Sequence, residues 1–352
     1  MKVSLKGILS IPIIIVLLPP VLVYWLVIVV RNKLFDWGIL KSEPTPVPSV
    51  GIGNLCHGGA GKTPLAMHVI GLLGREHTVG LVSRGYGRSI KENIHFVGRM
   101  AASVAGDEPA MMARRFPKLQ VALAAKRREG VAILMDEPTP PQYIVFDDVF
   151  QHRWVRPTVS VLVTSYDNLF SSDKMTPFGN LREPRRGYRR ADLIVVSKCP
   201  SSLTEEQREE VLRAIGPRPH QKVFFSSIVY GYPMAVYGHD KLYHADVMLV
   251  VTGISNPAPL IEALKERGEV EHLAFPDHHT FTKADLRYIA KYYDDMAGLH
   301  KAIITTEKDA MRLDAALAKE ILGKLPVYYI PIEVAFHDGD AFDRELLRRL
   351  NA

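Results

Sequence analysis

Cysteine is scarce in this sequence: Cys56 and Cys199 are the two in 352 residues. So few cysteines exclude a disulfide-stapled fold of the secreted kind, and the two lack the spacing of a zinc site. Internal repeats and low-complexity tracts are also missing, which excludes a repeat protein. We therefore expect an ordinary globular protein of a reducing compartment, in which both cysteines are structural.

Stretches that interleave aromatic and basic residues are absent too, and no nucleic-acid-binding module is recognisable. The net charge of +6 therefore does not indicate a nucleic acid partner. Anionic lipid headgroups would also attract a basic protein, by about 1 kcal/mol for each basic residue near the membrane surface. No protein partner can be predicted from the sequence.

Charge is missing altogether from residues 8–30, and basic residues stand on both sides of this stretch. A helix of that length, rising 1.5 Å per residue, would just cross a bilayer core of about 30 Å. Its prolines should kink or break the helix, so the segment either spans the membrane or lies as a bent wedge in one leaflet. A buried core helix is the alternative, whereas a cleaved signal peptide would need a small-residue cleavage site that is not there. The basic residues that follow place the bulk of the chain on the cytoplasmic side. The prolines are Pro12, Pro19 and Pro20.

Beyond this segment, short apolar runs alternate with helical stretches, which predicts an α/β fold with a parallel sheet covered on both faces. We expect a membrane segment over residues 1–35, a nucleotide-binding domain over 36–222 and a smaller α/β domain over 223–352. A β-rich connector should join the two domains. The predicted strands are Ser49–Gly53, Val79–Ser83, Tyr143–Asp147, Ser160–Thr164, Asp192–Ser197, Val247–Gly253, Lys301–Thr305 and Val327–Pro331.

The first of these strands leads into NLCHGGAGKTP and then a helix-compatible run. This is the P-loop arrangement: backbone amides at a helix N-terminus hold phosphate, the lysine bridges terminal oxygens and the threonine binds Mg²⁺. Cys56 replaces the usual first glycine. The larger domain should therefore have a P-loop kinase-type sheet that uses ATP and Mg²⁺. The residues expected to bind ATP are Cys56, His57, Gly58, Gly59, Ala60, Gly61, Lys62 and Thr63.

A second apolar strand ends in Asp147 and Asp148. In P-loop enzymes such a strand lies beside the P-loop strand, and its acid holds the magnesium shell. Asp147 is the first candidate for that role, while Asp148 either orients it or belongs to the acceptor site. After a further strand, Pro200 stands where GTP-binding proteins carry a guanine-reading aspartate, so the sequence favours ATP over GTP.

Three motifs exceed what a bare ATP-binding module needs: SRGYG at 83–87, GDEP at 106–109 and PDHH at 276–279. The first ends a strand at the ligand-facing edge of the sheet, and the second opens a helix. The third follows a strand of the smaller domain. Their carboxylate and imidazole can meet only if the two domains face each other across a cleft.

Eight ordered motifs together resemble the tetraacyldisaccharide 4'-kinase family over nearly the whole chain. They are SVGIGNLCHGGAGKTP, SRGYG, GDEP, DDVFQHR, FGNLREP, VTGISNP, FPDHHTF and TTEKDAMRL. The sequence departs from the family pattern at Val149, where glycine is usual, and at Cys56-His57, where a small hydroxyl residue and an aliphatic residue are usual. Neither departure removes a side chain with an assigned chemical role.

The resemblance implies transfer of the ATP γ-phosphate to the 4'-hydroxyl of a tetraacylated glucosamine disaccharide 1-phosphate, at the cytoplasmic face of the inner membrane. It implies that Asp107 is the catalytic carboxylate, that His278 contacts it and that Lys62 acts with them. Which of Asp107 and His278 takes the proton stays open. Thr63, Asp147, Asp148 and Glu183 are implied around the metal. The residues implied for substrate or nucleotide contacts are Asn54, Arg84, Tyr86, Gln151 and Arg182.

Residues 181–190 carry five arginines, which suit the substrate's 1-phosphate or anionic lipid headgroups, although a solvated basic loop is the plainer interpretation. A functional alternative for the whole chain is a membrane-tethered P-loop ATPase or switch that has no small-molecule acceptor. Such a switch would need no acceptor base, so Asp107, Arg84 and His278 favour the kinase.

Overall fold

A computed structural model describes residues 11–238, 244–313 and 316–352, and of residues 11–18 and Pro20 it describes the backbone alone. Residues 1–10 of the predicted membrane segment lie outside this description. The helices are α1 Ile11–Asp36, α2 Lys62–Leu73, α3 Ala102–Ala105, α4 Asp107–Arg115, α5 Arg127–Met135, α6 Glu205–Ile215, α7 Ala258–Lys265, α8 Lys283–Asp295, α9 Glu307–Leu313, α10 Ala316–Leu322 and α11 Ala341–Leu350. The strands are β1 Glu43–Pro44, β2 Ser49–Gly53, β3 Val79–Ser83, β4 Ile94–Val97, β5 Gln120–Leu123, β6 Tyr143–Phe146, β7 Val155–Arg156, β8 Val159–Ser165, β9 Leu193–Ser197, β10 Lys222–Tyr230, β11 Met234–Ala235, β12 Val247–Thr252, β13 Glu269–Ala274, β14 Lys301–Thr306, β15 Val327–Ile330 and β16 Ile332–Phe336.

The larger sheet has the strand order β16-β10-β9-β8-β2-β6-β3-β5-β4. Its inner pairs are parallel, and only the two outermost strands of this sheet, β16 and β4, pair antiparallel to their neighbours. The central strands β2 and β3 are buried throughout. This confirms the prediction of an α/β fold built on a parallel sheet, and it places β6 directly beside the strand that precedes the glycine-rich loop.

The smaller sheet has the order β11-β15-β14-β12-β13, with parallel pairing except at β11. Helices α4 and α9 pack together where the two sheets meet. Buried apolar side chains of both lobes, among them Met112 and Met311, belong to one continuous cluster. The two lobes therefore rest on each other through side chains as well as through the connecting chain.

The end of the chain returns to the larger sheet. β16 pairs with β10, and Phe342 of α11 stacks on Phe336 with ring centroids 4.4 Å apart. His68 Nε2 lies 2.7 Å from Asp343 Oδ1, which ties α11 to α2. The sequence placed a single boundary at residue 222, whereas the chain passes between the sheets once after β10 and again before β16.

The sequence predicted that the prolines would kink or break the helix; α1 runs from Ile11 to Asp36 without a break, so the second of these outcomes does not occur. A proline removes only its own backbone donor, and the hydrogen bonds of the neighbouring turns can carry the helix past it. In the part of the chain whose side chains the structure describes, no helix has the length and apolar character that a membrane crossing requires.

One face of α1 is exposed and apolar, and the other contacts the body of the protein. The indole of Trp25 donates a hydrogen bond to the Thr176 carbonyl oxygen at 2.8 Å, and Phe35 is buried. The exposed apolar residues of this helix are Leu22, Val23, Tyr24, Leu26, Val27 and Val30.

Candidate active site

The glycine-rich loop connects β2 to α2, and Lys62 is the first residue of that helix. Gly58 and Gly61 have φ angles of 100° and 85°, in the region that favours glycine, and Gly61 caps the helix without a side-chain hydrogen bond. The first backbone amides of α2 therefore keep free donors at a helix N-terminus, which is the arrangement that binds phosphate.

Neighbouring segments hold the loop in place. The Ser197 hydroxyl at the end of β9 donates to the Ala60 carbonyl oxygen at 2.7 Å, and the Asn54 amide donates to the Cys56 carbonyl oxygen at 2.7 Å. The His57 backbone amide donates to the Asn180 carbonyl oxygen. Burial raises the pKa of the Cys56 thiol to about 11, so this residue is a neutral packing group at physiological pH.

The Lys62 ammonium points back across the loop. Its Nζ donates to Asn54 Oδ1 at 3.1 Å and lies 3.5 Å from Asp148 Oδ1. The structure therefore brings together three of the residues that the sequence predicted for this site, although they stand on a strand end, a loop and a helix.

Asp147 follows β6 directly and is almost fully buried. Burial and the charge of Asp148 raise its pKa to about 6. Its Oδ1 is buried without a hydrogen-bond partner in the described part of the chain, and a buried polar atom of this kind is costly unless a ligand satisfies it. The carboxylate suits a hard cation that takes oxygen ligands.

No group of three or more histidine, cysteine, aspartate or glutamate side chains among the described residues could hold a metal by itself. A magnesium ion bound through one or two carboxylates, water and nucleotide phosphate does not require such a group. The residues present therefore fit Mg²⁺ that arrives with a nucleotide.

Asp148 has a positive φ of 49°, which points to a backbone held by its surroundings. Arg182 Nη1 donates to both of its carboxylate oxygens, at 2.9 and 3.1 Å. Burial by itself would raise the pKa of Asp148, but the charges of Lys62 and Arg182 outweigh it, so the pKa is lowered and the group is ionised. The unusual backbone falls on Asp148 and not on Val149, so the valine packs in the core without strain.

Glu183 is buried, and its oxygens already have protein partners. Oε1 accepts from Arg190 at 2.8 Å and from Gln151 at 3.1 Å, while Oε2 accepts from Asn32 of α1 at 2.9 Å. The Gln151 amide also donates to the Asn54 carbonyl oxygen at 2.8 Å. Glu183 and Gln151 therefore brace the glycine-rich loop, and Glu183 lies in a different hydrogen-bond group from Asp147.

Arg84 and Tyr86 are exposed at the end of β3, where the sequence predicted a ligand-facing edge. Gly106 allows this loop to approach α4, because a Cβ at that position would lie 2.6 Å from the Tyr86 carbonyl oxygen. Its φ of 87° also favours glycine. The GDEP motif thus places the start of α4 in direct contact with the SRGYG loop.

Asp107 and His278 meet across the two lobes. Asp107 is the first residue of α4, and its Oδ2 lies 3.3 Å from His278 Nδ1. His278 has a φ of 60°, and its backbone amide donates to the Gly253 carbonyl oxygen at 3.0 Å. The Tyr86 ring lies 6.4 Å from the imidazole ring. The predicted pairing of a carboxylate and an imidazole across a cleft is present in the structure.

Two arginines of this region were missed by the sequence analysis. Arg127 is buried and donates to the Asp147 carbonyl oxygen at 3.4 Å, and nothing in the sequence near it indicates a ligand site. Arg312 contacts Asp107. It lies in the TTEKDAMRL motif, and that motif was the sequence feature that could have identified it as a site residue.

Comparisons with known proteins agree with the fold and with the motifs. The family profile LpxK, described as tetraacyldisaccharide-1-P 4'-kinase, matches residues 13–351. A tetraacyldisaccharide 4'-kinase of Flavobacterium johnsoniae is 39% identical over 340 residues, which is 95% of this chain and 96% of that protein. One of Bacteroides thetaiotaomicron is 36% identical over 345 residues, 92% of this chain and 90% of that protein.

A solved structure is similar in fold. It is LpxK from Aquifex aeolicus in complex with ATP, with a TM-score of 0.72 and 24% identity, covering 95% of this chain and 98% of that one.

Proposed function

Because this chain belongs to the tetraacyldisaccharide 4'-kinase family, we infer that it transfers the γ-phosphate of ATP to the 4'-hydroxyl of a tetraacylated glucosamine disaccharide 1-phosphate. The product belongs to lipid A biosynthesis. The family match and the relatives that cover nearly the whole chain support this activity. We further propose how single residues, magnesium and the membrane contribute to this activity.

The nucleotide should lie in the glycine-rich loop. Backbone amides at the start of α2 would hold its phosphates, and Lys62 would neutralise charge on the transferring group. Thr63, Asp147 and Asp148 would hold Mg²⁺, which would neutralise the negative charge that develops on the phosphates. We propose that Glu183 supports the phosphate loop through Gln151 and does not bind Mg²⁺ itself, because both of its carboxylate oxygens already accept hydrogen bonds from protein groups.

The acceptor hydroxyl should approach from the cleft where Asp107 and His278 meet. Phosphoryl transfer needs mainly positioning and charge neutralisation, with a base to orient the attacking hydroxyl. Asp107 is the proposed base, and His278, 3.3 Å away, can pass the proton onward. Asn54, Arg84, Tyr86, Gln151 and Arg182 would line the path of substrate and nucleotide. The contact between Asp107 and His278 is the one observation on which this assignment depends.

The activity is tested by incubating the protein with Mg²⁺, labelled ATP and a defined acyl disaccharide 1-phosphate. We expect the acceptor to gain the mass of one phosphate, and the label to move into the lipid. Release of label only as free phosphate, at a rate that the lipid leaves unchanged, would favour the P-loop switch. A P-loop switch would have no use for the observed contact between Asp107 and His278, and no other observation favours it.

The metal assignment predicts a specific defect in Asp147→Asn. The substitution removes the charge that would hold Mg²⁺ but keeps the size of the side chain, so turnover should fall by about 100-fold or more and recover partly at high Mg²⁺. A magnesium titration of initial rates measures this. Asp136→Asn, an exposed residue at the end of α5, is the control. An unchanged Mg²⁺ dependence in Asp147→Asn would remove this residue from the metal site.

We propose that the exposed apolar face of α1 binds the cytoplasmic leaflet of the inner membrane. An open groove of about 700 Å³ lies beside that face, between α1 and the arginine-rich segment, and would receive acyl chains of the substrate. Apolar residues line it and arginines stand at its margin, which suits a lipid with a charged headgroup. Its lining includes Trp25, Met175, Phe178, Leu181, Arg185 and Arg186.

The double variant Leu22→Asp/Leu26→Asp tests the membrane face. Both side chains are at least half exposed in the structure, so the fold should tolerate the change. Binding to anionic vesicles should weaken by at least about ten-fold, because burying each leucine contributes about 1.5–3 kcal/mol. Co-sedimentation with vesicles measures this, and Leu299→Asp, at a residue 92% exposed in the smaller lobe, is the matched control. Equal vesicle binding by both variants would place the membrane contact elsewhere.

A further inference from the structure

The Asp107 carboxylate has a second partner besides His278. Arg312 Nη2 lies 2.5 Å from Asp107 Oδ2, and Arg312 Nε lies 3.4 Å from Asp107 Oδ1. Both oxygens of the carboxylate thus face one guanidinium, whose planar fork matches a carboxylate in two places. Asp107 belongs to α4 of the larger lobe and Arg312 to α9 of the smaller lobe, so this pair crosses the cleft.

Arg312 is itself fixed by its own lobe. Its Nη1 donates to Asp309 Oδ1 at 3.0 Å, and its side chain is 9% exposed. Asp309 is fully buried, and its Oδ2 accepts from the Gly253 amide at 2.9 Å and from the Thr306 hydroxyl at 2.8 Å. The guanidinium is therefore held on one side before it reaches Asp107 on the other.

The charge state of Arg312 follows from these contacts. Burial by itself lowers the pKa of the guanidinium, but the hydrogen bond to Asp107 and the charges of Asp107 and Asp309 raise it further than burial lowers it. A fully ionised arginine thus stands between two carboxylates. Pairs of this kind, shielded from water, are strong and sensitive to geometry.

Other ion pairs continue along the same two helices. Lys308 Nζ lies 3.1 Å from Glu108 Oε1, and at the opposite end of α4 Arg115 lies 3.6 Å from Glu307 of α9 and 2.8 Å from Glu333 of strand β16. Asp107 and Glu307, at the starts of α4 and α9, face Arg312 and Arg115 near the end of the other helix, whereas Lys308 and Glu108 pair near the start of both. Only the end that contains Asp107 borders the proposed acceptor cleft.

His278 lies within the same group of charges. Arg312 Nη2 is 3.2 Å from its Nδ1, and Lys308 Nζ is 3.2 Å from its Nε2. With a proton on Nδ1 the ring donates to Asp107, and the lone pair on Nε2 accepts from Lys308. Asp107 and His278 thus share Arg312 as a common neighbour.

We propose that Arg312 is a positioning residue that fixes the Asp107 carboxylate for the transfer and closes the two lobes around it. This inference rests on the proposed role of Asp107 as the base. Asp309 fixes the position of the Arg312 guanidinium, and the guanidinium in turn holds both oxygens of the Asp107 carboxylate. The acceptor hydroxyl therefore meets a carboxylate of fixed orientation. Without Arg312 the carboxylate would keep His278 as a partner on one side and would lose the contact that holds both of its oxygens, while the contacts of Lys62 in the ATP cradle would be unchanged.

The test compares Arg312→Gln and Arg312→Lys with Arg115→Gln, which breaks the far end of the same helix pair. Arg312→Gln should lower kcat by about 100-fold with little change in KM for ATP, because a displacement of about 1 Å can cost that much. Arg312→Lys keeps the charge but loses the fork, and should retain a kcat between those of the wild type and Arg312→Gln. Arg115→Gln should lower kcat by less than about five-fold, as expected for a partly exposed pair. Arg312→Lys serves as the second variant should Arg312→Gln prove unstable.

A double-variant cycle separates positioning from simple lobe docking. In an Asp107→Asn background, Arg312→Gln should reduce kcat little further, because its effect acts through the missing carboxylate. The inference would be overturned by any of three results. These are fully additive losses of kcat in the double variant, equal losses of kcat in Arg312→Gln and Arg115→Gln, or a change confined to KM for ATP. If Asp107 were not the base, Asp107→Asn alone would keep the kcat of the wild type. This result distinguishes failure of the proposed function from failure of the inference about Arg312.

Discussion

Replacing Lys62 by alanine should reduce kcat/KM for ATP by about 100- to 1,000-fold while the fold survives. The ammonium contacts the polar side chains of Asn54 and Asp148. Its loss removes positive charge where negative charge develops during the transfer, and removal of a single such group costs about 100- to 1,000-fold. Asp148 would keep the two hydrogen bonds from Arg182, so no carboxylate would be left without a partner.

Initial rates with the lipid acceptor measure this loss, and circular dichroism checks that the variant is folded. Lys265→Ala, an exposed lysine in the last turn of α7, is the control for removing one positive charge. A folded Lys62→Ala variant with near-normal turnover would show that the transferring phosphate lies away from this lysine.

The second large effect is expected for Asp107→Asn. The amide has the shape of the carboxylate but cannot accept the hydroxyl proton, so kcat should fall by about 100- to 10,000-fold. The affinity for ATP should stay close to normal, because the nucleotide cradle is built from β2, its loop and α2. Glu108→Gln changes the neighbouring carboxylate of the same helix turn and should cause a much smaller loss.

Separate measurements of kcat and of ATP binding decide this prediction. A loss of affinity with unchanged kcat would assign Asp107 to nucleotide binding instead of to the acceptor. A loss of folding stability, detected as a lower melting temperature than that of Glu108→Gln, would assign it to the contact between the lobes.

The strands around the site could be predicted from the sequence because they are buried on both faces. The observed bounds of β2 and β3 are the predicted ones. A central strand is an uninterrupted apolar run, so the polar segment before it and the glycine-rich loop after it mark its two ends clearly. The side chains that follow them, including Asn54 and Arg84, were therefore assigned to the correct edge of the sheet.

The outer strands and the pairing between lobes could not be predicted in this way. β16 alternates half-buried and exposed residues and joins the larger sheet from the end of the chain, a long-range pairing that no local pattern indicates. The role of Arg312 depends on α9 lying against α4, which only the packed structure shows. Helix α1 differed from expectation because proline propensity describes an isolated helix, whereas this one is held along its second half by contacts such as Trp25 to Thr176.

An unbroken series of hydrogen bonds joins α1 to the phosphate loop. Asn32 and Gln151 donate to Glu183, Gln151 also donates to Asn54, and Lys62 donates to Asn54. Any tilt or rotation of α1 must therefore stretch one of these short contacts or displace the lysine. With the proposed membrane contact of α1, the angle of that helix on the lipid surface would change the position of the Lys62 ammonium. Enzyme freed from lipid should differ from bound enzyme in its rate constant as well as in its access to substrate.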